Sequence, residues 1–183
     1  MKTYEFTLIL EGAEEITDAL EDALYEAGCS DAVLGLHNGA VFLDFFRQAR
    51  SMRDAATSAI HAVERYVDGV KVAGIAQATF VTQSMIAERL EVSREAVRLW
   101  IENRRGDGAF PAPVMTSGKN TSYWDWLDVL KWREVQGAVP TDEQSEIASA
   151  LTELSLALQL RRHADHVPQI MQILGKLASP FRC

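Results

Sequence analysis

Residues 82–104 read TQSMIAERLEVSREAVRLWIENR, and this stretch decides how the middle of the chain folds. Thr82 is a good N-cap for a short helix, whose apolar stripe ends near Leu90. After a tight connection, Ser93 caps a second helix with Trp100 on its apolar face. Two short helices joined by a turn of three to four residues are the geometry of a helix-turn-helix.

The finer pattern of this stretch agrees with that geometry. Ala87 falls where the two helices cross closely and a larger side chain would clash. Glu91 occupies a turn position where helix-turn-helix proteins often carry glycine, so we expect it to adopt the turn with some strain. An ordinary helical hairpin that touches no DNA is the alternative. DNA binding is favoured because Arg94, Glu95 and Arg98 crowd the exposed start of the second helix, the end that enters the major groove.

The residues that follow predict a β-hairpin wing and a closing helix. Residues 103–108 form a basic turn, and the prolines in 109–115 favour an extended chain. A polar tip and a returning strand precede a third helix over residues 124–132. All four tryptophans lie between residues 100 and 132, at a helical spacing that predicts a core. A stacking platform for single-stranded nucleic acid is the alternative for these rings.

Residues 81–132 resemble the winged helix-turn-helix of the excisionase and MerR-like group of DNA-binding proteins. The resemblance is carried by IAERLEVSREAVRLW, by RRGDGAFPAPV and by WDWLDVLKW. The front of the chain is also similar to small bacterial regulators with an EFTLILEG opening and an HNGAVFLDF hairpin. The effector-binding half of true MerR regulators is not recognisable in this chain.

The resemblance implies three groups of contacts with double-stranded DNA. Base edges would be read from the second helix, where arginine can grip guanine and Glu95 can accept from cytosine; these residues are Ser93, Arg94, Glu95 and Arg98. Phosphate would be held at the start of the first helix by Thr82 and Gln83. The wing would bind phosphates or the minor groove through Arg104, Arg105, Lys119 and Asn120. Glu95 and Arg98 can also pair on the helix surface, which need not prevent either from turning to DNA.

Residues 1–79 predict a small α+β domain with the order β-α-β-β-α-β. Strands are expected at 4–10, 31–36, 40–46 and 70–75, with Asn38-Gly39 as a hairpin turn. Right-handed crossovers make a ferredoxin-like sandwich the simplest closure. The domain carries 6 basic and 13 acidic residues, a net charge of −7. A sheet with one open face favours a partner-binding or dimerising role, against a purely structural one.

Residues 138–183 predict a C-terminal helical hairpin as a third domain, after a central domain at 80–137. Ile147, Leu151, Leu154 and Leu158 recur at 4-3-4 spacing, and a second apolar helix follows Pro168. The hairpin either covers the DNA-binding domain of its own chain or packs against a second chain. Dimerisation is favoured, because one helix-turn-helix reads only a half-site and two-fold proteins read palindromes.

Composition excludes several classes of protein. The chain has 183 residues, a net charge of −8 and two cysteines, Cys29 and Cys183, which are too few for a disulfide framework. No apolar run approaches the length of a membrane span, and the start of the chain lacks a secretory signal, so a cytoplasmic, nucleoid-associated protein is expected. The spacings reveal no metal site, cofactor motif or catalytic set. Asp44 with His37 or His61, and the cluster of His163, Asp165 and His166, are more simply explained as solvated groups.

The sequence therefore predicts a non-enzymatic, sequence-specific regulator of transcription. It would act as a homodimeric repressor on palindromic double-stranded DNA, without contact with a membrane. One alternative is an antitoxin-type protein that neutralises a partner protein through residues 1–79 and represses its own operon. Another is an excisionase-like factor that bends DNA for a recombinase.

Overall fold

The computed structural model describes residues 1–76, 79–104, 109–117, 121–137 and 142–178. Over these residues the chain is a mixed α+β protein with seven α-helices and two antiparallel sheets. It divides into two compact units: residues 1–76 with 153–183, and residues 77–152.

The first unit is built around a four-stranded antiparallel sheet with the order β2-β3-β1-β4. The elements follow the predicted sequence of strand and helix types along the chain. They are β1 (Lys2–Glu11), α1 (Asp18–Glu26), β2 (Ala32–His37), β3 (Ala40–Ala49), α2 (Met52–Tyr66) and β4 (Lys71–Ile75).

One face of this sheet carries the apolar core of the unit. Alternation along β1 buries Tyr4, Phe6, Leu8 and Leu10, and the rings of Phe6 and Phe45 stack at 5.2 Å. The helix α2 places its own apolar stripe in the core, and Ser51 caps it by accepting the N–H of Asp54. The other face of the sheet has no such continuous core.

Glycines allow two local features of this sheet. Asn38 and Gly39 both have positive φ, which closes the predicted β2–β3 hairpin with a two-residue turn. At Gly35 the ring of Phe42 lies over the backbone, and an added Cβ would stand 2.2 Å from its Cζ atom. A side chain at position 35 would therefore displace Phe42.

An ion pair fastens the connection between α1 and β2 to strand β3. Arg47 donates to both carboxylate oxygens of Asp31 at 2.8 Å and to the carbonyl of Gly28 at 3.0 Å. These hydrogen bonds, together with the charge of Arg47, lower the pKa of Asp31 against a smaller opposing effect of burial. Burial raises the pKa of the neighbouring Cys29 thiol, against the opposing effect of Arg47.

The second unit packs three helices and a small antiparallel sheet around tryptophan side chains. Its elements are β5 (Phe80–Val81), α3 (Gln83–Arg89), α4 (Arg94–Ile101), β6 (Met115–Thr116), β7 (Ser122–Asp125) and α5 (Trp126–Val135), with the strand order β5-β7-β6. The helix predicted over 124–132 begins only at Trp126. Trp124 and Asp125 are instead the end of β7, because they pair with Val81 and Phe80. Val81 and Phe80 form the short strand β5, which was not predicted.

The core of this unit confirms the structural interpretation of the tryptophans. Trp100, Trp124 and Trp132 are each less than 8% exposed, and Phe110 lies edge-on between the last two. The indole N–H of Trp124 donates to the carbonyl of Pro111 at 3.0 Å. These three rings are therefore too buried for nucleic-acid bases to stack on them.

The C-terminal residues form α6 (Asp142–Arg162), a 3₁₀ turn (Ala164–His166) and α7 (Val167–Ala178). These residues do not group together as one compact unit. The boundary between the two units falls inside α6, which belongs to the second unit up to residue 152 and to the first unit beyond it. Arg161 donates to the carboxylate of Glu64 on α2 and to the carbonyl of Val72 on β4, and Arg53 on α2 pairs with Glu153. The end of α6 thus packs on α2 and β4 within the first unit, an arrangement that was not predicted.

The apolar residues of α6 and α7 differ strongly in burial. On α6, Leu151 and Leu158 are buried, as the 4-3-4 spacing predicts. On α7, all four large side chains from residue 171 onward are more than half exposed, namely Met171, Ile173, Leu174 and Leu177. Within the described residues, no helix is both long enough and apolar enough to cross a lipid bilayer.

Candidate nucleic-acid interface

Helices α3 and α4 are held at a fixed angle by a capped, strained turn. Thr82 caps α3 by accepting from the N–H of Met85, and Ser93 caps α4 by accepting from the N–H of Ala96 at 3.1 Å. Between them Glu91 has φ of 52°, the left-handed conformation expected at this position. The helix pair therefore forms locally, and its apolar residues lock it onto the tryptophan core.

The first turns of the two helices are joined by polar contacts. The side-chain amide of Gln83 donates to the backbone carbonyl of Arg94 at 2.9 Å, and the guanidinium of Arg94 donates to the hydroxyl of Ser84. Arg94 remains exposed despite this contact. Two of the predicted contact residues, Gln83 and Arg94, are thus brought side by side at one exposed end of the pair.

Arg98, one turn further along α4, lies between two carboxylates. It donates to both oxygens of Glu95, at 2.9 and 2.6 Å, and to Glu102 at 2.5 Å. The hydrogen bonds that Arg98 donates to Glu95 and then to Glu102 raise the pKa of Arg98, and the same bond to Glu95 lowers the pKa of Glu95. The alternative pairing of Glu95 with Arg98 is therefore present, and a second carboxylate is added to it.

Charge along the exposed face of α4 consequently alternates in sign. Arg94 and Arg104 flank the Glu95–Arg98–Glu102 cluster, and Arg104 pairs with Glu102 at 3.2 Å. All members of the cluster are solvent-accessible, with side-chain exposures between 36% and 69%. Exposed ion pairs of this kind are worth little and can exchange partners.

The segment after α4 is closed at its base by one side chain. Asn103 has φ of 53°, and its Oδ1 accepts the N–H of Phe110 at 3.1 Å. Beyond it, the N–H of Val114 donates to Tyr123 and that of Ser117 to Thr121, which builds the β6–β7 hairpin. Three predicted contacts, Arg105, Lys119 and Asn120, lie outside the described residues.

Two further arginines and one glutamate of this unit were not among the predicted site residues. Arg89 lies over the ring of Trp126 at 5.1 Å, and its burial lowers its pKa; Arg133 lies over the ring of Trp100 at 5.0 Å. Glu102 could have been found from its spacing, four residues after Arg98 on the same helix. The two arginines could not have been found in this way, because their contacts with tryptophan rings depend on how α5 packs against the other helices, and the local sequence does not predict that packing.

The described residues contain no set of three or more His, Cys, Asp and Glu side chains arranged for a metal ion. Asp44 accepts from the hydroxyl of Thr7 at 2.5 Å. It alternates with the buried Leu43 and Phe45, whose face of the sheet is covered by α2, so it lies on the opposite side from His61. His37 pairs with Ala40 at the hairpin, away from Asp44, so neither histidine is placed to act with Asp44 as an acid/base pair.

No protein-family model, curated protein or solved structure matches this chain.

Proposed function

We propose that this protein is a sequence-specific regulator of transcription that binds double-stranded DNA as a homodimer and acts as a repressor. The observation that carries the proposal is the capped pair α3–α4, whose apolar sides enter a tryptophan core and whose opposite side presents arginines. In this proposal the second unit is a winged helix-turn-helix, with α4 as recognition helix and the β6–β7 hairpin as wing. The strand order β2-β3-β1-β4 supports a ferredoxin-like fold for the first unit.

Arg94 is proposed to make the principal base contact. Its only side-chain hydrogen bond in the described residues goes to the uncharged hydroxyl of Ser84, so a guanine can replace that partner at small cost. Ser93 and Thr82 each use a hydroxyl oxygen to cap a helix and retain their O–H as a donor to phosphate.

Arg98 is proposed to reach DNA by leaving its carboxylate partners. Glu95 and Glu102 hold it in the free protein, and both are exposed, so water and salt already compete for the pair. Glu95, once released, is positioned to accept from cytosine. The exchange makes binding sensitive to sequence, because a site that satisfies only Arg98 leaves Glu95 facing phosphate.

The exposed apolar face of α7 supports the homodimer. An isolated helix of 12 residues is marginal in water, yet α7 carries five large apolar side chains and only one charged residue, Lys176. A second copy of α7 would offer an equally apolar surface, so pairing two copies would bury apolar side chains against one another rather than against polar groups. Two chains would then present two recognition helices to a palindrome.

Sequence selection from random double-stranded DNA, followed by titration of the selected site, tests the function. We expect Arg94→Ala to weaken specific binding by about 1–3 kcal/mol and Arg98→Ala to weaken it about tenfold, with loss of discrimination at the contacted bases. Affinity for the parent protein should also fall steeply with salt.

Lys131→Ala is the matched control, because it removes an exposed positive charge from α5 outside the assigned contacts. Its affinity should stay near that of the parent. If both arginine variants hold the selected site as tightly as the parent does, α4 is not the recognition helix.

A further inference from the structure

The outer edge of β2 in the first unit has no partner strand within the described residues. β2 pairs with β3 on one side only and is the terminal strand of its sheet. Its side chains are unusually exposed for apolar residues, with Val33 at 59% and Leu36 at 50%. β2 also carries no Asp, Glu, Lys or Arg, so it lacks the charges that commonly protect edge strands.

The register of the sheet shows which backbone groups of β2 face outward. The N–H of Phe46 donates to the carbonyl of Asp31, and the same alternation makes residues 33, 35 and 37 the hydrogen-bonded partners of β3. The N–H and C=O groups of Leu34 and Leu36 therefore point away from the sheet. They are free to form a ladder with an added strand.

A groove of mixed polar and apolar lining lies directly beside this edge. It has a volume of about 340 Å³ and runs between α1 and β2, with Leu24, Tyr25, Leu34 and Leu43 among its lining residues. Tyr25 is 74% exposed at its rim. A residue paired opposite Leu34 would point its side chain to the same face as Leu34, and hence into this groove.

The charge around the groove indicates what kind of strand it accepts. Glu21 lines the groove, and α1 carries three further acidic residues and no basic one. Arg47, at the end of the same face, is already committed to Asp31 and Gly28. A strand that places Lys or Arg two positions before or after an apolar residue would direct these charges to the same face as that residue and would complement this surface.

From this geometry we infer that β2 and the adjacent groove form a docking site for an extended, basic segment of another protein. The segment adds a fifth strand to the sheet, hydrogen-bonds to Leu34 and Leu36, and inserts one large apolar side chain beside Tyr25. Phosphate-rich ligands are disfavoured by the acidic rim. A second copy of this chain is also disfavoured, since pairing of two β2 strands would bring two acidic α1 helices together. The inference is independent of the DNA-binding proposal.

Selection of peptides against the full-length protein tests the site. A phage-displayed library of random heptapeptides is panned, and an enriched peptide is labelled with fluorescein and titrated by anisotropy. We expect enrichment of one large apolar residue with Lys or Arg two positions before or after it. Binding should slow amide hydrogen exchange at Leu34 and Leu36, whereas residues 33 and 35 are already bonded to β3.

Two pairs of matched variants locate the bound peptide. Tyr25→Ala and Glu21→Lys should each weaken peptide binding about tenfold or more. Tyr66→Ala and Glu15→Lys make the same changes at exposed positions on the other side of α1, where both residues line a separate pocket, and should leave the affinity unchanged. Arg94→Ala should not affect the peptide, which separates this test from that of DNA binding.

Three outcomes would overturn the inference. They are the absence of any enriched peptide, unchanged exchange at Leu34 and Leu36 in the complex, and equal effects of the groove variants and their controls. A Tyr25→Ala protein that changes its own oligomeric state would also contradict it, because the occupant would then be a second copy.

Discussion

Arg98 lies between Glu95 and Glu102 on a helix that we propose to enter DNA. In the free protein these carboxylates neutralise its charge and hold its guanidinium along the helix surface. Such an arrangement lowers non-specific attraction to phosphate, because the protein presents less net positive charge at long range. Specific binding then depends on bases that replace both carboxylates.

Replacing Glu102 with Gln should make the protein a tighter and less selective DNA binder. The change removes one negative charge and leaves Arg98 paired with Glu95 alone. Arg98 can then leave its carboxylate partner for a phosphate more readily. We expect affinity for random duplex DNA to rise several-fold. The plot of log affinity against log salt concentration should become steeper by about one released counterion. Filter-binding titrations at several salt concentrations measure both. Glu134→Gln on α5 is the control, and lower affinity of Glu102→Gln would contradict the role assigned to Glu102.

At the scale of elements, the local signals in the sequence were sufficient where a helix or strand is determined by its own residues. The caps at Thr82 and Ser93, the Asn38-Gly39 turn and the strained Glu91 follow from side chains within a few positions. The predicted start of α5 at Trp124 was wrong, because Trp124 pairs with Val81, which lies 43 positions earlier in the sequence. Contacts of that separation, like the one between Arg161 and Glu64, leave no periodic signal in the sequence.

The ion pair that joins the α1–β2 connection to β3 makes stability depend on pH. Since the pKa of Asp31 is lower in the folded chain than its ordinary value of 3.8, the pair stabilises the fold fully above that value. This contribution is lost as pH falls through the lower, folded-state pKa. Asp31→Asn should therefore reduce the free energy of unfolding by about 1–2 kcal/mol at pH 7.

Urea unfolding at a series of pH values measures this difference. The gap between parent and Asp31→Asn should be constant from pH 7 to about 5 and should shrink below pH 4. Asp22→Asn, at an exposed position on α1, should show no comparable gap. A gap that persists unchanged at low pH would mean that the charge of Asp31 is not what stabilises the connection.

At the scale of the whole molecule, the surfaces divide among three proposed roles. The face of α4 is assigned to DNA, the edge of β2 to a basic partner segment, and α7 to a second copy of the chain. The net charge of −8 does not oppose DNA binding, because residues 80–137 carry as many basic as acidic groups. The acidity is concentrated in residues 1–79, where a basic partner would meet it.

Leu177→Glu should convert the proposed homodimer into a monomer. The side chain is 74% exposed on α7, so a carboxylate there costs the isolated chain little but would be buried in the proposed interface. Sedimentation velocity should report the halved mass, and binding to a two-half-site operator should weaken strongly at fixed protein concentration. Val135→Glu, at a 78% exposed position on α5, is the control and should stay dimeric. A parent protein that sediments as a monomer would refute the assignment of α7.

The hydrogen bond from the N–H of Phe110 to the Oδ1 of Asn103 joins two residues that are seven positions apart in the sequence. Lengthening a surface loop whose ends are already anchored adds only about 0.6 kcal/mol for each doubling of its length. Insertions between Asn103 and Phe110 should therefore leave α4 and the β6–β7 hairpin in place. Under the DNA-binding proposal, descendants of this chain could acquire new operators through insertions between these two residues, without any change in the helices.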